Sequence, residues 1–432
     1  MARLVYQFTQ SKFAPSFLDE ALVVVVGLMA PAGSYYLFKD ELGRKILLSI
    51  IAYISIILLS SLIFKYSFER GSWAFYKSFL LDLKFFIFFL GAAALALRSE
   101  RRGGLRRVVR LIMLSLVLVA LVDSVQVLRD IMGNGIGFDG EPLATRGAFF
   151  RPNGFFHHPV QSAQVALFGF LSALGFLARR LTTGRLALAV YLFLILIFHV
   201  SVKEIIVGCL FLLMFVMIFV RTNAFTKALA VLLGVSAIGS VFASSAGGEV
   251  TSRISYYTSE QGSDTVRRAL YRGGYEIALD LFPLGAGAGT FGSEGSRTDG
   301  YSSLYFKYGI YGRWGANRQN DTYLLDTFWP KVMGESGIAG LGAMLSIIYL
   351  MISCSWRVMR RTRAPEDFVA LSAVMGVIII SVATAALNEE LNGAIFFLFA
   401  AIAFARSRAV DPKRSGKSVR STSRPTSRSH GQ

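Results

Sequence analysis

The sequence predicts an all-α fold, a polytopic bundle of membrane-spanning helices, on three observations. Hydrophobic residues make up 54% of the 432 and charged residues only 17%, and the mean hydropathy is +0.53. Soluble domains are about a quarter charged. Apolar runs of about 18 residues or more recur along the chain, each long enough to cross a hydrocarbon core. Lys and Arg gather in alternate loops, the pattern that sets helix orientation in a bilayer.

About eleven apolar segments follow in order, near 21–38, 46–64, 78–97, 108–128, 159–178, 186–200, 204–220, 228–243, 335–354, 368–387 and 392–405. The first contains Ala30-Pro31-Ala32, which resembles a cleavage site. Asp19 and Glu20 precede it where a secretory signal carries basic residues, so it reads as a membrane helix. Several segments carry Gly or Ser, which membrane helices accept because neighbouring helices satisfy the backbone. The expected organisation is an N-terminal bundle (1–243), a large polar loop (244–330), C-terminal helices (331–406) and a tail (407–432). The tail is rich in Ser, Arg and Thr without apolar periodicity. It is expected to be disordered and to attract anionic headgroups.

Four basic groups orient the helices. They are Arg98 to Arg107, Arg179 to Arg185, Arg357 to Arg363, and the tail from Lys413 to Arg428. Placing all four in the cytoplasm puts the N-terminus, 129–158, Ser201–Glu204 and 244–330 outside. The net charge of +18 is then largely topological and does not imply a nucleic-acid partner. Cys209 and Cys354 lie in apolar runs. The four histidines form no Cys/His cluster and no HExxH, so no metal site is expected.

Three outward groups could carry chemistry. One is Arg146 with Arg151-Pro-Asn-Gly154-Phe-Phe-His157-His158-Pro159. The second is Ser201-Val-Lys203-Glu204, a charged pair between two apolar runs. The third is the long loop, with Arg267-Arg268-Ala-Leu-Tyr271-Arg272, Pro283-Leu-Gly-Ala-Gly287-Ala-Gly289-Thr-Phe291, Arg313, Arg318 and Asp326. A guanidinium is planar, permanently charged and bidentate toward phosphate oxygens, so these arginines suit an anionic, lipid-borne ligand. The glycines permit tight turns; with no following Lys-Ser/Thr they are not a nucleotide loop. Asp326 and Glu335 flank the re-entry into the membrane. Each is either a proton acceptor or a structural group, Asp326 as a helix cap and Glu335 as a brace before Gly337.

These stretches, in this order, resemble the O-antigen polymerase and O-antigen ligase superfamily of bacterial envelope glycosyltransferases. Arg151 to Pro159 looks like its R-x-x-G-x-F-x-x-P element, and Ser201-Val-Lys203 like its S-R/K element. Arg268 with Pro283 to Phe291 looks like R…P-L-x-G-x-G-x-F. Asp326-Thr327 with Glu335-Ser-Gly337-Ile-Ala-Gly340 looks like H-N…E-x-G-x-x-G. The resemblance covers roughly 145–345. Asp326 stands where the ligase branch carries histidine, which favours the exopolysaccharide polymerase branch.

The resemblance implies a GT-C-like membrane fold in the bacterial inner membrane, with the site on the periplasmic face. It implies metal-independent, cofactor-free inverting transfer of a glycan from polyprenyl pyrophosphate to an incoming lipid-linked repeat unit. Arg146, Arg151, Lys203 and Arg268 then bind pyrophosphate, Asp326, Arg268 and Glu335 are catalytic, and Tyr271 and Trp314 stack on sugars. Expected partners are polyprenyl-pyrophosphate-linked oligosaccharides, membrane lipids, and chain-length regulator and export proteins. The alternatives are ligation of glycan to lipid A core or another acceptor and, more distantly, a polysaccharide flippase. No repeated half-bundle of the kind transporters carry is found.

Overall fold

A computed structural model describes residues 13–220 and 266–410, apart from Arg70, Asn134, Phe138, Asp139, Glu141, Gly147, Ala148, His157, 298–300, Trp314, Asn320, Thr322 and Asp326. The apolar segment expected near 228–243 and the first part of the polar loop lie outside these residues.

Each apolar segment within the described residues contributes a helix, though the one expected at 368–387 is helical only to Ser381. The helices are α1 (Phe13–Gly27), α2 (Ala30–Phe38), α3 (Glu41–Ile63), α4 (Ser72–Arg101), α5 (Leu105–Met132), α6 (Pro159–Arg179), α7 (Thr183–Phe198) and α8 (Val202–Phe219). The loop contributes α9 (Val266–Asp280), α10 (Glu294–Arg297) and α11 (Ser303–Lys307). The chain then closes with α12 (Phe328–Thr362), α13 (Pro365–Ser381) and α14 (Glu390–Val410). Two short strands, β1 (Thr145–Arg146) and β2 (Phe149–Phe150), pair antiparallel. Among the described residues seven helices are long and apolar enough to cross a membrane, and α1–α2 make an eighth if their bent pair is one span.

Three further details differ from the expected elements. The segment 21–38 is not one helix: α1 and α2 meet at a 49° bend, with Pro31 in the first turn of α2. The helix expected from 335 begins at Phe328 and carries a break at Gly337 (φ 63°, ψ −162°). Residues 407–410, expected in the tail, continue α14.

The core runs through the bundle, with α4 against α14 and α2, α3 against α12, and α5 against α6. Of the long helices α6 is the most enclosed, 83% of its apolar window being buried, against 33% for α3. The described part of the loop has its own smaller core around Leu270, Ile277, Phe291, Tyr305 and Leu324.

The basic loops collect at one end of the bundle. Arg406 pairs with Glu100 at 3.2 Å and with Asp367 at 2.9 Å, and Glu366 takes Arg110 at 2.8 Å and Arg179 at 3.9 Å. The turn 151–158, the α7–α8 turn, the loop from 266 and the α13–α14 turn therefore share the opposite end.

Candidate functional site

The Arg151 turn is wrapped around two carboxylates of α5. Asp130 accepts from the backbone N–H of Asn153 and of Gly154, both at 3.0 Å, and from Gln126 Nε2 at 2.7 Å. Asp123 accepts from Phe155 N–H at 2.8 Å. Gly154 sits at φ +59°, and a Cβ there would lie 2.1 Å from Asp123 Oδ1. Only glycine allows this approach. The sequence element around Arg151 is thus a turn shaped by buried acids, and Arg151 comes close enough to His199 to act on it electrostatically.

Beneath this turn runs a buried chain from Asp123 through Ser162 to His199. Ser162 Oγ bonds Asp123 Oδ2 and lies 2.6 Å from His199 Nε2. His199 Nδ1 lies 2.8 Å from the Ile195 carbonyl oxygen. A carbonyl only accepts, so Nδ1 carries a hydrogen. Asp123 and Nε2 then both face a hydroxyl that has one hydrogen to give. Satisfying both contacts requires one further proton, held on Asp123 or on His199.

Lys203 and Glu204 begin α8 at the neighbouring turn, where Val200 adopts φ 51°. Glu204 is fully buried. It accepts from Ser201 Oγ at 2.5 Å and pairs with Lys203 Nζ at 3.6 Å. It also feels Glu389 of the α13–α14 turn. Glu389 accepts from Gln164 at 3.0 Å and from Asn392 at 2.6 Å.

The glycine-rich stretch after α9 packs backbone to backbone between α3 and α12. Ala286 N–H donates to Gly334 O at 2.8 Å, Gly287 N–H to Glu335 O at 2.9 Å, and Ala339 N–H to Pro283 O at 3.1 Å. Ser60 Oγ donates to Gly285 O, and Ser61 Oγ accepts from Ala288 N–H at 2.9 Å. Glu335, 1% exposed, holds the next turn. Its Oε1 accepts from Thr290 N–H at 3.0 Å, Phe291 N–H at 3.3 Å and Ser293 Oγ at 2.5 Å. Its Oε2 has no hydrogen-bond partner among the described residues. One turn earlier Lys331 pairs with Asp82 of α4, which lines a cavity of about 20 Å³ together with Tyr53, Phe328 and Asn388.

Of the other expected site residues, Arg268 is exposed on α9. Tyr271 donates to Val382 O at 2.7 Å, and partial burial pushes its phenol up while Arg267 pulls it down. Arg146 lies in β1, its backbone paired with Phe149. His158 caps α6, its Nδ1 accepting from Val160 N–H at 3.2 Å. Asp326 and Trp314 lie outside the described residues. Thr327, at the start of α12, is buried.

The α13–α14 turn and the end of α13 reach residues near these groups. Val382 O receives Tyr271, Ser381 Oγ receives Trp329 Nε1 at 3.2 Å, Asn388 faces the cavity beside Asp82, and Glu389 receives Gln164, two residues from Ser162. Sequence reasoning passed over Asp82, Asp123, Lys331 and Glu389. The signal was available for the first two: a carboxylate inside an apolar run is expensive in a membrane and marks a site. No cluster of three or more His, Cys, Asp or Glu suited to a metal occurs among the described residues. Neither protein-family models nor curated proteins match the chain.

Proposed function

We propose that this chain is an inverting glycosyltransferase that polymerises lipid-linked oligosaccharide repeat units, of exopolysaccharide or O-antigen type, at the outer face of the bacterial cytoplasmic membrane. One observation carries the proposal. Residues beside three polar stretches far apart in sequence, Gln164, Glu204 and Tyr271, each interact with the α13–α14 turn at the end of the bundle opposite the basic loops, which supports the reading.

The growing glycan is the donor. A hydroxyl of the incoming unit forms a bond to the donor's anomeric carbon as the bond from that carbon to the pyrophosphate oxygen breaks. The hydroxyl proton passes to a base, and the lipid pyrophosphate leaves as an anion. Arg151, Lys203 and Arg268 hold the diphosphates and stabilise the leaving charge. Asp326 receives or orients the acceptor proton. Glu335 supports the site by holding the turn at Thr290–Ser293, and Tyr271 braces α9 against the bundle.

The test is polymer formation by the chain reconstituted with a lipid-linked repeat unit. Losing one charged contact of about 2–3 kcal/mol should slow turnover roughly 30- to 150-fold in Arg151→Ala and Arg268→Ala. Arg→Lys at either position should also be poor, because an ammonium is not a bidentate fork. Asp326→Asn should insert normally and lose ~10²–10⁴-fold in rate, with single repeat units accumulating. Wild-type polymer from all three variants would remove them from the site. Transfer to lipid A core in place of chain extension would identify a ligase.

A further inference from the structure

The buried face of α9 is explained by the loop core, through Leu270, Gly273, Ile277 and Ala278. Its outward face is not. Arg268, Arg272, Tyr275 and Leu279 fall within an arc of roughly 60° at 100° per residue, and Phe282 follows two residues past the helix end. Tyr275 is 54% exposed, Leu279 50% and Phe282 68%. The stripe is graded: basic at its N-terminal end, aromatic and aliphatic at its C-terminal end. Large apolar side chains left exposed in a row mark an interaction surface.

The neighbours of the stripe say what covers it. Tyr271, on the same helix, bonds the backbone of Val382, an apolar residue 62% exposed at the rim of the bundle. Beyond Phe282, Pro283 O accepts from Ala339 N–H, and Gly285 O accepts from Ser60 Oγ, within the spans α12 and α3. Leu62, two residues from Ser60, is 76% exposed on the apolar outer surface of α3. The apolar end of the stripe therefore leads straight into the segment clamped to α3 and α12, and its helix is tied through Tyr271 to the exposed rim residue Val382. Its two arginines stand at the other end, Arg268 exposed and Arg272 paired with Glu276 at 2.7 Å, a charge suited to anionic headgroups. Amphipathic helices with basic and aromatic residues seat in this way, about 5–10 Å into the interface, and Tyr is favoured at that depth.

We propose that α9 is an interfacial helix whose outward stripe is seated in the lipid leaflet, Arg268 and Arg272 at the phosphates and Leu279 and Phe282 against acyl chains. Asp280 leaves this face for the loop: it accepts from Tyr308 at 2.6 Å and Lys307 at 3.2 Å, which hold its carboxyl below the usual range. Arg268 at this depth is also level with the diphosphate of a lipid-borne substrate, so its place here rests in part on the proposed function, while the seating of Leu279 and Phe282 does not.

The test uses the full chain with Cys209→Ala and Cys354→Ala, in nanodiscs of phosphatidylethanolamine and phosphatidylglycerol. Spin labels are placed singly at Leu279→Cys, Phe282→Cys, Leu62→Cys and Gln319→Cys. Labels at 279 and 282 are expected to lose relaxation by an aqueous nickel chelate and gain relaxation by oxygen, following the label at 62. Nickel relaxation at both positions as full as at 319 overturns the proposal. So does protection that appears only when a soluble oligosaccharide is added, which assigns the face to glycan. If the cysteine-free chain does not purify as a single species, Leu279→Trp in the otherwise unchanged chain decides the same point. Quenching by lipids brominated along the acyl chain that exceeds the quenching of the unchanged chain, whose four tryptophans set the baseline, supports the proposal, and no increase overturns it.

Discussion

Glu335→Ala tests whether a single buried oxygen holds the glycine-rich turn in place. Oε1 accepts three hydrogen bonds, from Thr290 N–H, Phe291 N–H and Ser293 Oγ. All three donor residues are buried. A buried donor stripped of its acceptor costs ~1–3 kcal/mol, so three set a loss of at least ~3 kcal/mol. That is a large part of the ~5–15 kcal/mol by which proteins are stable. No cation is stranded, because Lys331 keeps Asp82. Gln retains the oxygen without the charge, and charged acceptors bond roughly twice as strongly as neutral ones. Glu335→Gln should therefore lose about half as much. The measurement is the fraction of monodisperse protein surviving a temperature series in detergent. The expected order is wild type, then Gln, then Ala. An alanine variant as stable as wild type would refute the bracing role, and Gln as damaging as Ala would show that charge, not acceptor geometry, matters.

Three further outcomes follow from the packing. Gly337→Ala should fail to accumulate as folded protein: a Cβ there would lie 2.6 Å from Gly285 N, Leu284 C and Pro283 O, at φ +63°, and normal yield in membranes would contradict the backbone clamp. Lys331→Met should destabilise by ~3–5 kcal/mol by leaving Asp82 unpaired, while the double variant with Asp82→Leu should recover most of the loss; heating curves for the single and double variants decide it. Asp123→Asn should be far better tolerated than Asp123→Ala. Its oxygen can take Phe155 N–H and its NH₂ can donate to Ser162, which frees the serine hydrogen for His199 and removes the need for the extra proton. Equal destabilisation of the two variants would break that proton count.

Much of the fold was legible without coordinates, because crossing a membrane is a condition on single segments. A run such as 159–178 must be apolar over its own length, and α6 is found at Pro159–Arg179. Charge at the helix ends is also local, and Arg110, Arg179 and Arg406, on three helices beside the basic loops, come to one end together. The bend between α1 and α2 was not legible from hydropathy, which averages over it. A Cβ at Gly33 would stand 1.9 Å from Leu90 O, so the bend belongs to a close contact with α4.

The chain by itself determined the all-helical, membrane-embedded character of the protein, its polar loop, and the Arg151, Lys203, Arg268 and Glu335 stretches as places of interest. Only the tertiary structure decided what those residues touch. Lys331 meets Asp82 across 249 positions, and Glu335 spends one oxygen on a turn more than 40 residues before it. The Arg151 turn takes its shape from Asp123 and Asp130 on another helix. Hydropathy and charge alternation are read along one dimension. Which buried polar groups find partners depends on helices packing side by side in a medium where an unpaired group is costly, and no local period in the sequence encodes that.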